Sequence, residues 1–263
     1  MRKLTGRALL GGRTVSVTRE EDGALTVDGR AVAETELTWL PPVDARTIIA
    51  IALNFRDHAA ELDLEEPDQP ALFPKFANAT IGHGQHVVRP LGIKYMHYET
   101  ELAVVIGKPA RRVREEDALG HVDAYTIAND LVVRDFVINH FRPPIKPKNF
   151  DTFLPMGPFL VPAERVPDPQ DLAIRTLVNG EVRQEGNTRD MIHSVAGLIA
   201  YISEFMTLGP GDVLLTGTPK GISQVHAGDV LRCEVGDFPA LENTVIAEED
   251  LGRGSQVAGG GRA

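Results

Sequence analysis

The chain has 263 residues and a mass of 28.6 kDa, enough to bury a substantial core, and its 43% hydrophobic and 24% charged residues are ordinary for a soluble globular protein. A formal net charge of −10 argues against nucleic acid as a partner, because phosphate binding needs clustered Lys and Arg. One cysteine, Cys233, excludes an intrachain disulfide and fits a reducing compartment; no apolar run is long enough for a signal peptide or a membrane span, so a cytoplasmic protein is expected.

Short β-like runs open the chain, Thr14–Val17 and Ala24–Val27, separated by turn signals such as Asp28-Gly29. They predict a small β-rich N-terminal module over residues 1–42, ended by Pro41-Pro42. Thr47 to Leu53 reads as a buried strand leading into a helix near Asp57–Glu61, and the acidic, proline-bearing stretch 63–70 as a loop and candidate lid. Further strand patterns follow at Val87-Val88, Leu102–Ile106, Ala124–Ala128, Phe159–Val161, Ile174–Val178, Val213–Leu215, Val230–Val235 and Thr244–Ala247. Only Ser194–Met206 shows a clear helical period, with Val195, Leu198, Ile199, Ile202 and Phe205 on one face. The balance predicts a mostly β fold with a few helices (α+β), a main domain over 43–251 and a disordered tail over 252–263.

The run His97-Tyr98-Glu99-Thr100-Glu101, followed by the apolar Leu102–Ile106, carries the strongest chemical signal. Residues i and i+2 of a strand project from one face, so Glu99 and Glu101 aim two carboxylates into one volume. Such a pair repels unless a cation neutralises it, which points to a hard divalent metal, Mg2+ or Mn2+; an exposed pair flanking a core strand is the alternative. Asp130, just after the strand ending at Ala128, would complete a three-carboxylate shell, or else form an Asn-Asp turn beside an Asp135–Arg134 pair. Lys148 near such a cluster would offset negative charge and hold a developing oxyanion, or else stand as a solvated loop residue. Thr216-Gly217-Thr218-Pro219-Lys220-Gly221 suits a carboxylate ligand without matching a Walker loop. His58 and Glu61, at i and i+3, suit a general base and its orienting partner. The other histidines, His83, His86, His121, His140, His193 and His226, show no zinc-ligand spacing and read as structural or surface residues. Arg56, Lys75, Arg134 and Arg142 are candidate cations for a second substrate carboxylate.

Together, "NFRDHAAEL", "LFPKFANATIGHG", "YMHYETELAVVIGK", "YTIANDLVVRD", "KNFDTFLPMGP" and "FMTLGPGDVLLTGTPKGI" resemble the fumarylacetoacetate hydrolase superfamily over roughly residues 45–248. The resemblance implies a β-roll with a divalent metal (Mg2+ or Mn2+) on Glu99, Glu101 and Asp130, Lys148 beside it, and His58 and Glu61 on a segment that closes over substrate. Thr218 and Gly217 of the glycine loop, with Asn54, Arg56 and Lys75, would bind substrate, and a homodimer is the default assembly. "YMHYETEL", "VNGEVRQEGNT" and "IAYISEFMTLGPGD" are most similar to the decarboxylase/isomerase type of 4-hydroxyphenylacetate (homoprotocatechuate) breakdown. That type implies decarboxylation of 5-oxopent-3-ene-1,2,5-tricarboxylate or isomerisation of 2-hydroxyhepta-2,4-diene-1,7-dioate through an enolate, hence a small 2-oxo or 2-hydroxy di- or tricarboxylate partner. Two features depart from it: Lys148-Asn149-Phe150-Asp151 replaces a serine-arginine-aspartate-glycine continuation, and one unit stands where such relatives can be tandem duplications. An acylpyruvate C–C hydrolase, and a non-catalytic binding protein that keeps the fold, are the rival expectations.

Overall fold

A computed structural model describes residues 1–137 and 143–251. Arg142 and His140, and the tail 252–263 with its expected disorder, lie outside the described residues.

The central element is the strand Thr100–Ile106, buried along its whole length. It lies antiparallel between Val122–Asn129, in the register Thr100↔Asn129 and Glu101↔Ala128, and Val213–Leu215, in the register Ala103↔Leu215. Ile48–Ala52 runs parallel to Val213–Leu215, and Ala71–Lys75 closes that side of the sheet. On the other side, Leu154–Pro162 pairs with Val122–Asn129 and passes the sheet on to Leu4–Leu10 through Thr5↔Leu160. The N-terminal hairpins thereby continue the main sheet, around a satellite core of Ala8, Val17, Val27, Trp39 and Phe159. The Asp28-Gly29 turn has both residues at positive φ (49° and 75°), the geometry that lets a two-residue turn follow the twist of its strands.

A second sheet, in the order Glu181–Asn187, Ala173–Val178, Val230–Val235, Leu241–Ala247 and Val87–Arg89, covers one face of the first. The central strand reads as continuously apolar because it is buried on both faces. Leu102, Val104 and Ile106 pack with Ile174, Cys233 and the helix Val195–Phe205, while Ala103 and Val105 pack with Phe73, Phe153 and Leu215. Ser194 caps that helix by accepting from the Gly197 N–H at 2.9 Å. The free thiol of Cys233 is buried in Val230–Val235, and burial pushes its pKa up to about 12. Among the described residues no helix is long and apolar enough to cross a membrane.

The observed architecture is the mostly β fold with few helices that the sequence implied. The strand Ala71–Lys75 carries a proline and was not foreseen, nor was Glu181–Asn187, whose polar composition hides it.

We expect Leu102→Ala, at a fully buried position of the central strand, to cost about 2–5 kcal/mol in urea unfolding. A loss below about 1 kcal/mol would contradict the packing described.

Candidate metal centre and substrate cleft

Antiparallel pairing brings four strand ends to one place. The N-terminal end of Thr100–Ile106 meets the C-terminal ends of Val122–Asn129, Val213–Leu215 and Ile48–Ala52. Glu99 and Glu101 therefore share a face, and Asp130 continues the neighbouring strand directly opposite Glu99, whose carbonyl accepts from the Asp130 N–H at 2.8 Å. One carboxylate oxygen from each of Glu99, Glu101 and Asp130 lies within 4.8 Å of the others, and all three residues are buried.

Two lysines answer this charge. The Lys148 ammonium, at the end of the short helix Ile145–Lys148, donates to Glu99 Oε2 at 2.6 Å, Asp130 Oδ2 at 2.7 Å and the Asp130 carbonyl at 2.9 Å. The Lys75 ammonium stands 2.8 Å from Asp130 Oδ1 and donates to the carbonyls of Lys148 and Phe153. That contact is an ion pair without an aligned hydrogen bond, and Asp130 Oδ1 is buried against the ammonium. The Gly217 N–H donates to Glu101 Oε2 at 2.7 Å. Gly217 has φ +89°, and a Cβ there would sit 2.9 Å from the Asn54 Cβ, so the loop approaches this closely only as glycine.

The electrostatics divide the carboxylates. Burial, with the Asp130 charge beside it, raises Glu101 well above the usual carboxylate range. For Asp130 burial acts the same way, but the charges of Lys148 and Lys75 outweigh it and hold it below its ordinary value. Burial would lower Lys148, yet the surrounding carboxylates raise it; at Lys75 burial prevails and the pKa falls. Three oxygen-donor carboxylates on one face, one with an unaligned oxygen, fit a hard divalent cation.

Glu99, Glu101 and Lys148 form part of the wall of a cleft of about 490 Å³. Apolar side chains including Ile51, Leu64, Phe73 and Val132 line it, with His58, Gly217 and Thr218. Leu64 brings the expected lid loop 63–70 onto the cleft beside Leu62, and Leu53, also lining it, is held at φ +55°, the kind of strained backbone that clusters at functional sites. The helix Arg56–Glu61 carries the His58–Glu61 pair, with His58 Nδ1 at 3.0 Å from Glu61 Oε2. A carboxylate only accepts, so Nδ1 carries the proton and Nε2 is the nitrogen left to take another. Six residues make a marginal helix; two bonds from the glycine loop hold it, the Lys220 N–H to Asp57 Oδ1 and the Gly221 N–H to Glu61 Oε1.

The expected site residues separate into two groups. Glu99, Glu101, Lys148, His58, Gly217 and Thr218 converge on the cleft, with Asp130 behind Lys148 and Glu61 behind His58. Asn54, Arg56 and Lys75, expected to bind substrate, are not among the residues lining it. The Asn54 amide is fully buried, donating to the His193 and Thr216 carbonyls and accepting from the His193 N–H. Arg56 donates to the Met191 carbonyl from an exposed position, and Lys75 is occupied beneath the carboxylates. Of the candidate cations, Arg134 does line the cleft; so does Lys146, which the sequence reading missed, with its ammonium 3.7 Å from the centre of the Phe136 ring.

Residues 47–246 match the family model described as fumarylacetoacetate (FAA) hydrolase, C-terminal. The chain is 48% identical over 223 residues to an Escherichia coli protein named 4-hydroxyphenylacetate degradation bifunctional isomerase/decarboxylase. That match takes in 85% of this chain and 52% of the relative, so the chain spans about half the length of the curated relative. A 2-hydroxyhepta-2,4-diene-1,7-dioate isomerase from Mycobacterium marinum superimposes with TM-score 0.82 at 30% identity, covering 94% of this chain and 100% of that one. Fumarylpyruvate hydrolase from Pseudomonas aeruginosa, solved with Mn2+ and pyruvate, gives TM-score 0.74 at 32% identity, covering 78% and 91%. The chain belongs to the fumarylacetoacetate hydrolase family.

Because burial raises Glu101 above the usual carboxylate range, metal uptake is expected to expel a proton at pH values where Glu101 is protonated, and metal affinity to rise with pH through its titration. Calorimetric titration with Mg2+ in two buffers of different ionisation heat measures this. Equal heats in the two buffers would contradict the raised Glu101, and Glu101→Gln should abolish any difference.

Proposed function

We propose that the chain is a Mg2+- or Mn2+-dependent enzyme of 2-hydroxy and 2-oxo dicarboxylates. Its reactions would be isomerisation of 2-hydroxyhepta-2,4-diene-1,7-dioate to the 2-oxo-3-ene isomer, decarboxylation of 5-oxopent-3-ene-1,2,5-tricarboxylate, or both, as a homodimer in the cytoplasm. The observation that carries this reading is the buried Glu99–Glu101–Asp130 triad, with Lys148 between Glu99 and Asp130, beside a cleft lined by Glu99, Glu101, Arg134 and Lys146. The names of the similar isomerase/decarboxylase and isomerase support it.

A divalent cation on the triad would supply Lewis acidity toward the carboxylate and 2-oxygen of the substrate. Lys148, charged and fixed between Glu99 and Asp130, adds positive potential where negative charge develops on that oxygen. Isomerisation removes the 2-hydroxyl proton and delivers one to a diene carbon; decarboxylation expels CO2 and leaves the electron pair to the conjugated system until a carbon is protonated. His58 Nε2, with Nδ1–H held by Glu61, is positioned to carry that proton. Arg134 and Lys146 would meet the distal carboxylate.

The His58–Glu61 pair favours a second reading. The same imidazole would activate water against an acylpyruvate, as the likeness to fumarylpyruvate hydrolase allows.

Purified protein with Mg2+ should convert 2-hydroxyhepta-2,4-diene-1,7-dioate with loss of the diene absorbance, and EDTA should stop it. No conversion by metal-loaded protein, together with pyruvate release from an acylpyruvate, would move the assignment to the hydrolase. Arg134→Ala should raise KM for the dioate by roughly tenfold or more, the scale of one charge-assisted hydrogen bond, while leaving KM for a 2-hydroxydienoate without the distal carboxylate within about twofold. Equal effects on both substrates would remove Arg134 from the distal subsite.

A further inference from the structure

The hydrogen bonds that support the His58–Glu61 pair lead back to a buried phenol. Tyr98, the residue before Glu99, has no exposed surface. Its hydroxyl donates to the Gly221 carbonyl at 2.7 Å and lies 2.8 Å from Ser223 Oγ. A carbonyl oxygen only accepts, so the one Tyr98 proton is committed to Gly221 and Ser223 donates to the phenol oxygen. Gly221, at φ +97°, also rests against the second sheet, where a Cβ would stand 2.8 Å from the Arg183 carbonyl oxygen. Phenol and sheet hold Gly221 from two sides, and its N–H donates to Glu61 Oε1 at 3.0 Å.

That bond decides what Glu61 offers to the imidazole. With Oε1 engaged by Gly221, Oε2 is left 3.0 Å from His58 Nδ1. The partner of one ring nitrogen sets which nitrogen carries the proton. The Glu61 side chain is 31% exposed, so without a tie its rotamer freedom would oppose so fixed a pairing. Gly221 supplies the tie, and Tyr98 holds Gly221.

We infer that Tyr98 is a positioning residue for the proton carrier: it fixes Gly221, Gly221 fixes Glu61, and Glu61 sets the tautomer of His58. The inference rests on the reading of His58 as the group that moves the proton. It makes the segment that carries Glu99 also the segment that orients the imidazole, although the two functions lie on opposite sides of the glycine loop's hydrogen bonds.

Nitrogen NMR of ring-labelled histidine, with the His58 signals identified by their loss in His58→Gln, separates the two neutral tautomers in metal-loaded protein without substrate. The parent should show Nδ1–H, and Tyr98→Phe should convert a measurable share to Nε2–H. In Glu61→Gln the amide oxygen still accepts from Gly221, so its NH2 must face Nδ1 and the tautomer should invert; adding Tyr98→Phe should relax that inversion. In turnover, Tyr98→Phe should lower kcat roughly fivefold or more while KM stays within about twofold. Its Mg2+ affinity should also stay within about twofold, because Gly217 keeps its own packing on Asn54. Thermal melting reports folding of each variant. An unchanged tautomer in folded Tyr98→Phe would overturn the inference, as would a loss of Mg2+ affinity in place of the tautomer change. Should Tyr98→Phe fail to fold, Glu61→Gln decides: Nδ1–H retained there would mean that Gly221 does not hold Glu61. Absence of turnover with any 2-hydroxydienedioate would overturn the functional proposal and leave the tautomer comparison standing.

Discussion

Three carboxylates in one buried volume form an arrangement that repels itself, and the protein around them is built to make it tolerable. Glu99, Glu101 and Asp130 are each almost inaccessible, where an uncompensated carboxylate would cost several kcal/mol and take up a proton instead. The cluster divides the load. Lys148 bridges Glu99 and Asp130, Lys75 supports Asp130 from beneath, and Glu101, without a lysine contact, holds its proton to a higher pH. A cation held at the triad would take the place of that proton.

This constraint accounts for features far from the carboxylates in sequence. Lys148 reaches the cluster only because Ile145–Lys148 packs beside Ala71–Lys75, and Lys75 holds the two together by donating to the Lys148 carbonyl. The glycine loop contributes from another side, with Gly217 donating to Glu101 and fitting against Asn54 at a distance no side chain would allow. Asn54 in turn joins the loop to the segment at His193 through three hydrogen bonds. Carboxylate cluster, loop and helix-bearing segment form one hydrogen-bonded unit, and this is why they can be spread over so much of the chain.

The triad was legible because its geometry is local. Period-two alternation puts Glu99 and Glu101 on one face whatever the rest of the fold does, and a polar pair following an apolar strand marks Asp130 as a strand-end residue. The glycine loop and the His58–Glu61 spacing were legible for the same reason. What the sequence could not disclose is direction across the fold. Lys75 and Arg56 looked like free cations, and only tertiary structure shows one beneath the carboxylates and the other on the outside. Asn54 stands in a motif that marks the site, yet its amide serves the backbone. Lys146 was invisible because nothing in an Ile-Lys-Pro context says that its ammonium will lie over Phe136. Tyr98 sits within a quoted motif, but its importance lies in a bond to Gly221, a contact no spacing encodes. The strand Ala71–Lys75 was hidden by Pro74, which a strand at the end of the sheet order tolerates.

The position of the His58 imidazole follows from the same economy of attachment. A six-residue helix without a side-chain N-cap has little stability of its own. It is held by the glycine loop, through Asp57 to Lys220 and Glu61 to Gly221. Glu61 thus uses one oxygen to fix the tautomer of His58 and the other to tie the helix to the loop that also touches Glu101. Orientation of the imidazole and placement of the carboxylates share a single loop as their common support. A displacement of that loop would shift the proton carrier and the carboxylate cluster together, which keeps the two halves of the site in register without a long helix or a rigid domain to carry either.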